Sequence, residues 1–187
     1  MASFQASICE FEVPDELLIA QVMQIHVSIC ELESLRPSKQ VNRTMLSLQA
    51  WSTAFYNGVV HPKRVAFIGS ANNVARQIVT NDDELESRMK FETCDIMEVK
   101  DKLGEFDCIF LAALAGMDKK EKMKILAHVQ KYMKVGGVLL IRSANGGRAF
   151  LYPVVDENDL VGFEVLSIFH PTDDVIDSVV LVRKPID

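Results

Sequence analysis

Residues 106–153 read FDCIFLAALAGMDKKEKMKILAHVQKYMKVGGVLLIRSANGGRAFLYP, and their order decides the fold class. The run from Cys108 to Leu114, bounded by Asp107 and Gly116, is apolar on both faces. That pattern suits a strand buried on both sides, as in a parallel sheet. Asp118 can cap the helix that follows, and Glu121 at the third position completes a capping box. Met123, Leu126, Val129 and Met133 then fall on one helical face, with lysines over the other. Lys134 lies in the last turn and Gly136-Gly137 stop the helix. Val138 to Ile141 is a second buried strand whose far end carries Arg142, Ser143, Asn145-Gly-Gly and Arg148. The unit is strand–helix–strand, and ligands of open α/β sheets bind at the carboxyl end of such strands.

Outward from this unit, Lys63–Ser70 (KRVAFIGS) is the first strand of an α/β domain. Ala71, Val74, Ala75, Ile78 and Val79 follow at one-face helical spacing, and Asn81-Asp82-Asp83 breaks that helix. Met89–Asp95 reads as the next strand and ends in an acid. Phe163–Phe169 and Asp177–Arg183 are two strands joined by the turn formers from His170 to Asp174, an antiparallel pair at one edge. Towards the amino terminus, Pro14-Asp15 opens a helix that Pro37 ends. Its seam of Leu18, Val22, Ile25, Ile29 and Leu32 suits docking on a neighbouring helix. Met45 to Tyr56 reads as a short amphipathic helix stopped by Asn57-Gly58. The reading is a reduced helical region over 1–60 and a Rossmann-like α/β domain over 61–187. A mostly parallel, doubly wound sheet with an antiparallel last pair is the pattern of S-adenosylmethionine-dependent transferases.

The 187 residues are 49% hydrophobic, enough for one good core and a small accessory region. Net charge is −6, and the basic residues form no stripe of the kind that phosphate backbones need, so nucleic acid is excluded as a partner. Cys9, Cys30, Cys94 and Cys108 have no C-x-x-C spacing and read as small buried thiols of a reducing cytosol, with neither zinc nor disulfide. No apolar run reaches membrane-spanning length, and MASFQASICEFE lacks the charged and apolar blocks of a signal peptide.

Several residues at the predicted strand ends could carry chemistry. Gly69-Ser70 opens a helix and could let backbone N–H groups approach a ligand, or be a structural turn. The G-x-G-x-x-G spacing is not there, since the chain goes on to Ala71-Asn72-Asn73. Asp95 could accept a hydrogen bond from an adenine amino group, or cap the turn before Met97. Ala112, Ala113 and Leu114 could floor a nucleoside, or be strand core. Arg142 and Arg148 could clamp a carboxylate through paired hydrogen bonds, or make surface ion pairs. His170 reads as a turn residue rather than a base, because spacing assigns it no partner; His26, His61 and His128 read as incidental.

Three stretches carry a family resemblance: MKFETCDIMEVKDKLGEFDCIFLAALAGMDKKEK, RSANGGRAFLYPVV and GFEVLSIFHPTDDVIDSVVLVRK. The chain resembles nicotianamine synthase over Ala71–Lys184, and ELLIAQVMQIHVSICELESLRPSK and KRVAFIGS are similar to that family's amino-terminal helix and first sheet strand. The resemblance implies condensation of three S-adenosylmethionine molecules into nicotianamine, a metal chelator, with release of methylthioadenosine. The implied reaction is aminocarboxypropyl transfer to an amine without a metal, by alignment and exclusion of water. It implies a cofactor side made of Gly69, Ser70, Asp95, Ile96, Ala112, Ala113 and Leu114, with Arg142, Asn145 and Arg148 orienting the substrate. It assigns no general base.

The chain departs from the family pattern twice. Most of the helical domain before the first sheet strand is absent, and Ser70 joins directly to what resembles the helix after the family's ribose-holding strand. The expectation is a six-stranded core with the lost strand's place closed up and weak or no affinity for S-adenosylmethionine. Function then divides between an active cytoplasmic transferase and an impaired member acting as a folded or pairing module, by self-association or with full-length relatives.

Overall fold

The computed structural model describes residues 5–11, 62–69, 76, 83–111, 118–144, 149, 154–170 and 177–186. The predicted helices between residues 14 and 60 lie outside the described residues, as do Ser70, Ala112 to Leu114, Asn145 and Arg148. Strands β1 (Gln5–Phe11), β2 (Pro62–Gly69), β3 (Met89–Glu92), β4 (Cys108–Leu111), β5 (Val138–Ala144), β6 (Glu164–Phe169) and β7 (Asp177–Arg183) form one sheet. Its order is β3-β2-β1-β4-β5-β7-β6. Helix α1 covers Asp83–Arg88 and helix α2 covers Lys119–Tyr132.

Two pairs are parallel, β2 with β3 and β4 with β5. β1 is antiparallel to both β2 and β4, so those two also share a direction. β7 is antiparallel to β5 and to β6. By direction β2, β3, β4, β5 and β6 therefore run one way and β1 and β7 the other. The sheet is α/β with the predicted antiparallel final pair and β6 at one edge, but it is mixed rather than mostly parallel: two neighbouring pairs are parallel and four antiparallel. β2 pairs directly with β3, as expected. The sheet nevertheless has seven strands rather than six, because residues 5–11 enter between β2 and β4. Without β1, the hydrogen-bonded order would break into β3-β2 and β4-β5-β7-β6.

Strand alternation sorts the core onto two faces. Ala66, Ile68, Ile109, Leu111, Leu139, Ile141, Val180 and Val182 pack together under Ile125, Leu126, Val129 and Met133 of α2 and its C-cap. Cys108, Phe110, Val138, Leu140, Arg142, Val179 and Leu181 alternate with them and are also buried. A strand with no wet face reads as a continuous apolar run, which is why β4 and β5 could be recognised in the sequence.

The ends of α2 are set by local chemistry. Asp118 Oδ1 accepts the Glu121 N–H at 2.8 Å, and Glu121 Oε2 accepts the Asp118 N–H at 3.2 Å. The predicted capping box is thus present. At the other end Gly136 takes φ 74°, which costs other residues strain, and Lys134 pairs with Asp107 instead of remaining in the helix. The face of α2 differs from the prediction in three places. Lys122 and His128 are buried, and Met123 is only partly so. His128 is not incidental: its Nε2 lies 2.7 Å from the Val99 carbonyl oxygen and its ring packs on Tyr132 with centroids 4.8 Å apart. Burial pushes the Lys122 ammonium pKa down, and the Asp159 carboxylate draws it part of the way back.

Asp83 opens α1, with Glu84 and Glu86 beside it in the first turn and Arg88 in the last. Acids at the start and a base at the end complement the peptide dipoles. Glu84 and Arg88 pair across one turn at 3.3 Å.

Candidate functional site

The five co-directional strands deliver their carboxyl ends to one edge. There the described residues place Gly69 at the end of β2, Asp95 just beyond β3, Leu111 at the end of β4, Ala144 at the end of β5 and His170 just beyond β6. β1 brings its amino end to this edge, with Gln5 opposite Gly69 and Ala6 opposite Leu111. Each inter-strand step is about 4.8 Å, so β1 holds the ends of β2 and β4 about 10 Å apart. β3 and β5 are four steps apart, about 19 Å. A ligand that meets both Asp95 and Arg142 must lie along the edge, over the four steps from β3 to β5.

Asp95 takes the capping role. Its Oδ1 accepts the Met97 N–H at 2.9 Å and so starts the 3-10 turn Ile96–Glu98. The side chain is exposed, which leaves Oδ2 open to water. Ile96 is 0% exposed and belongs to the core beneath α2, so only its backbone can face a ligand. Cys94 next to Asp95 has its thiol pKa raised by partial burial and then by the Glu98 and Asp95 charges, so it is a poor nucleophile.

Arg142 is 6% exposed, so it is buried rather than standing on the surface. It stands opposite Val179 in β7 and on the face of Phe110 and Leu140. A guanidinium with that little exposure is costly unless its N–H groups are met by acceptors.

One row of polar groups crosses β5, β7 and β6 at the same edge, and sequence reasoning missed it. Ser143 and Ser178 are directly opposed, and both are buried. Ser143 Oγ accepts the buried Val155 N–H at 2.8 Å. Ser178 Oγ lies 2.6 Å from His170 Nδ1. The partner that spacing could not assign to His170 is therefore a serine eight residues on, reachable only once β6 and β7 are in register. Beyond Val155, Asp156 and Asp159 form a reciprocal cap on the turn Glu157–Asp159. Lys119 of α2 bridges both, at 3.2 Å to Asp156 and 3.0 Å to Asp159. Hydrogen bonding to Asp159 and then Asp156 raises the Lys119 pKa, and the bond from Lys119 depresses that of Asp156. Segment 154–160 is thus fixed to β5 on one side and to the start of α2 on the other.

Of the predicted site, the described residues bring Gly69, Asp95 and Arg142 to one edge, and Ile96 beneath it. Ser70, Ala112, Ala113, Leu114, Asn145 and Arg148 lie outside the described residues. Among the described residues no helix is long and apolar enough to cross a membrane.

Comparison with known proteins agrees with this architecture. SibL, an S-adenosylmethionine-dependent methyltransferase, superposes with a TM-score of 0.56 over 94% of this chain and 70% of its own, at 15% identity. A mutant of MtNAS in complex with S-adenosylmethionine superposes with a TM-score of 0.50 over 90% of this chain and 73% of its own, at 18% identity. At such identities the likeness speaks for the fold alone. In sequence, nicotianamine synthase 3 of Arabidopsis thaliana is 51% identical over 140 residues, 75% of this chain and 42% of that protein. Nicotianamine synthase of Solanum lycopersicum is 43% identical over 171 residues, 76% of this chain and 54% of that protein. The chain spans about half or less of the length of these curated relatives. The model of the nicotianamine synthase protein family matches residues 63–187, from β2 to the last residue and through all five carboxyl strand ends described above, and the chain belongs to that family.

Proposed function

We propose that this chain takes S-adenosylmethionine along the carboxyl edge of its sheet and performs the aminocarboxypropyl transfer of a nicotianamine synthase. Three S-adenosylmethionine molecules would be condensed into nicotianamine, each releasing methylthioadenosine. The observation that carries this reading is the family match over residues 63–187, which includes Asp95, Arg142 and His170. The crystallised MtNAS complex with S-adenosylmethionine supports the same ligand. We further propose a cytoplasmic setting, a part in metal homeostasis, and self-association or pairing with full-length relatives.

The donor sets the chemistry: its sulfonium makes the neighbouring carbon electrophilic, so an amine can displace a neutral thioether. The protein's part is orientation and exclusion of water. The residues fit that part. The open oxygen of Asp95 accepts from an adenine amino group while its other oxygen keeps the turn. The backbone of Gly69, Ser70 and Ile96, with Ala112, Ala113 and Leu114, receives the nucleoside. Arg142, with Asn145 and Arg148, holds the amino-acid carboxylate, a role that suits a planar guanidinium in a dry setting better than an exposed lysine.

Titration calorimetry with S-adenosylmethionine, followed by product analysis, tests this. The expected result is saturable binding and methylthioadenosine in the mixture. Adenosylhomocysteine instead would mean methyl transfer. Binding without either product would leave a folded or pairing module.

A further inference from the structure

A buried imidazole on α2 ends a run of hydrogen bonds that starts at the Asp95 carboxylate. Asp95 Oδ1 accepts the Met97 N–H at 2.9 Å. The Glu98 N–H donates to the Asp95 carbonyl at 3.0 Å, and the Val99 N–H to the Ile96 carbonyl at 3.1 Å. The Val99 carbonyl oxygen lies 2.7 Å from His128 Nε2. A carbonyl oxygen only accepts, so Nε2 carries the proton and is the donor. Val99 is 7% and His128 9% exposed, so water has little room to replace either partner. Ile96 and Val99 peg the turn into the core, while Asp95, Met97 and Glu98 stay exposed. Apolar pegs fix depth without direction, whereas a short hydrogen bond fixes direction as well. Tyr132, one turn on, packs its ring against the imidazole and restrains it.

We propose that His128 is a positioning residue for the nucleoside half of S-adenosylmethionine: by holding the Val99 carbonyl, it sets where the open oxygen of Asp95 points. This role rests on the function proposed above, in which that oxygen accepts from the adenine amino group. His128 acts through the turn and not on the ligand. Without its bond the turn tilts on its apolar pegs, and Asp95 loses its aim while keeping its own cap. One charged hydrogen bond to the ligand is then given up, which lowers affinity about tenfold.

The test uses the whole chain and three replacements. His128→Leu fills the space without a donor, and His128→Asn offers an amide one bond too short. His128→Gln carries its amide nitrogen as many bonds from Cβ as Nε2 and restores the donor. Calorimetry is run with S-adenosylmethionine and with methylthioadenosine, which has the nucleoside but no amino-acid tail. The expected result is a loss of about tenfold for both ligands in the Leu and Asn variants, and of less than about twofold in the Gln variant. Hydrogen exchange of the Met97, Glu98 and Val99 amides, read without ligand, should quicken in the Leu and Asn variants alone. Unaltered affinity in those two variants would overturn the proposal. So would an equal loss in the Gln variant, or a loss confined to S-adenosylmethionine. If the unaltered chain bound neither nucleoside, the proposed function would fall and this role with it. Unchanged amide exchange in the Leu and Asn variants would instead overturn the tether alone.

Discussion

Replacing Ser143 by alanine isolates a single buried hydrogen bond. Ser143 is 3% exposed, Val155 is 6% exposed, and the Val155 amide donates to Ser143 Oγ at 2.8 Å. Alanine fits the strand but leaves that amide with no acceptor and too little exposure for water to take over. An orphaned buried donor costs about 1–3 kcal/mol, so roughly 2 kcal/mol is expected. For a chain of this size that is a fall in Tm of about 4–8 °C. Ser178→Ala is the control, since its partner His170 is exposed and can bond to water instead. Its expected cost is below about 1 kcal/mol. Urea unfolding of the three proteins with unchanged m values gives both differences. A loss of less than about 0.5 kcal/mol in Ser143→Ala, or a larger loss in Ser178→Ala, would refute the reasoning that the tie to Val155 fixes segment 154–160.

Asp118→Ala removes the capping box of α2 and should cost about 1 kcal/mol by the same assay, with Asp118→Ser restoring most of it. The Lys119 bridge predicts a pH window. Asp156 has a depressed pKa, so its contribution is complete above the ordinary carboxylate value near 3.8 and vanishes as pH falls through the lower folded value. Lys119 has a raised pKa, so its contribution is complete below 10.5 and vanishes as pH rises through the higher folded value. Lys119→Met should flatten the acid limb of a stability–pH profile, and an unchanged limb would count against the bridge. Ile8→Pro should cost roughly 2–4 kcal/mol, because β1 has a ladder on both sides and one lost N–H also orphans an acceptor. Proline tolerated there within about 0.5 kcal/mol would mean that β1 is not an interior strand.

What could be read from the sequence was local. The apolar run of β4, the Asp118–Glu121 box and the Gly136-Gly137 stop are signals within a few residues of the structure they cause. The β6–β7 pair announced itself through the turn formers between its strands. β1 did not, because QASICEF becomes a strand only when β2 and β4 flank it, and both are far away in the chain. Lys122 and His128 escaped for a related reason: charge and polarity argue for an outward face, and the acceptors that reward their burial come from residues 99 and 159. The Ser143–Ser178–His170 row depends on the register of three strands, which no spacing in one segment encodes. Of the two readings of Asp95, position favoured the ligand and the geometry supplied the cap.

β6 forms the outer border of the sheet, with Val165 40% and Phe169 49% exposed. A straight border of that kind invites a strand from another molecule and, at high concentration, fibrillar growth. The irregularity between Val165 and Ser167 bends this one, and Glu164 sets a charge at its start. At the opposite border the Arg76 guanidinium donates to the Phe91 carbonyl at 2.8 Å, so one acceptor there is already occupied. Straightening β6 by deleting Leu166 would remove one of these guards and leave a sticky ribbon in its place.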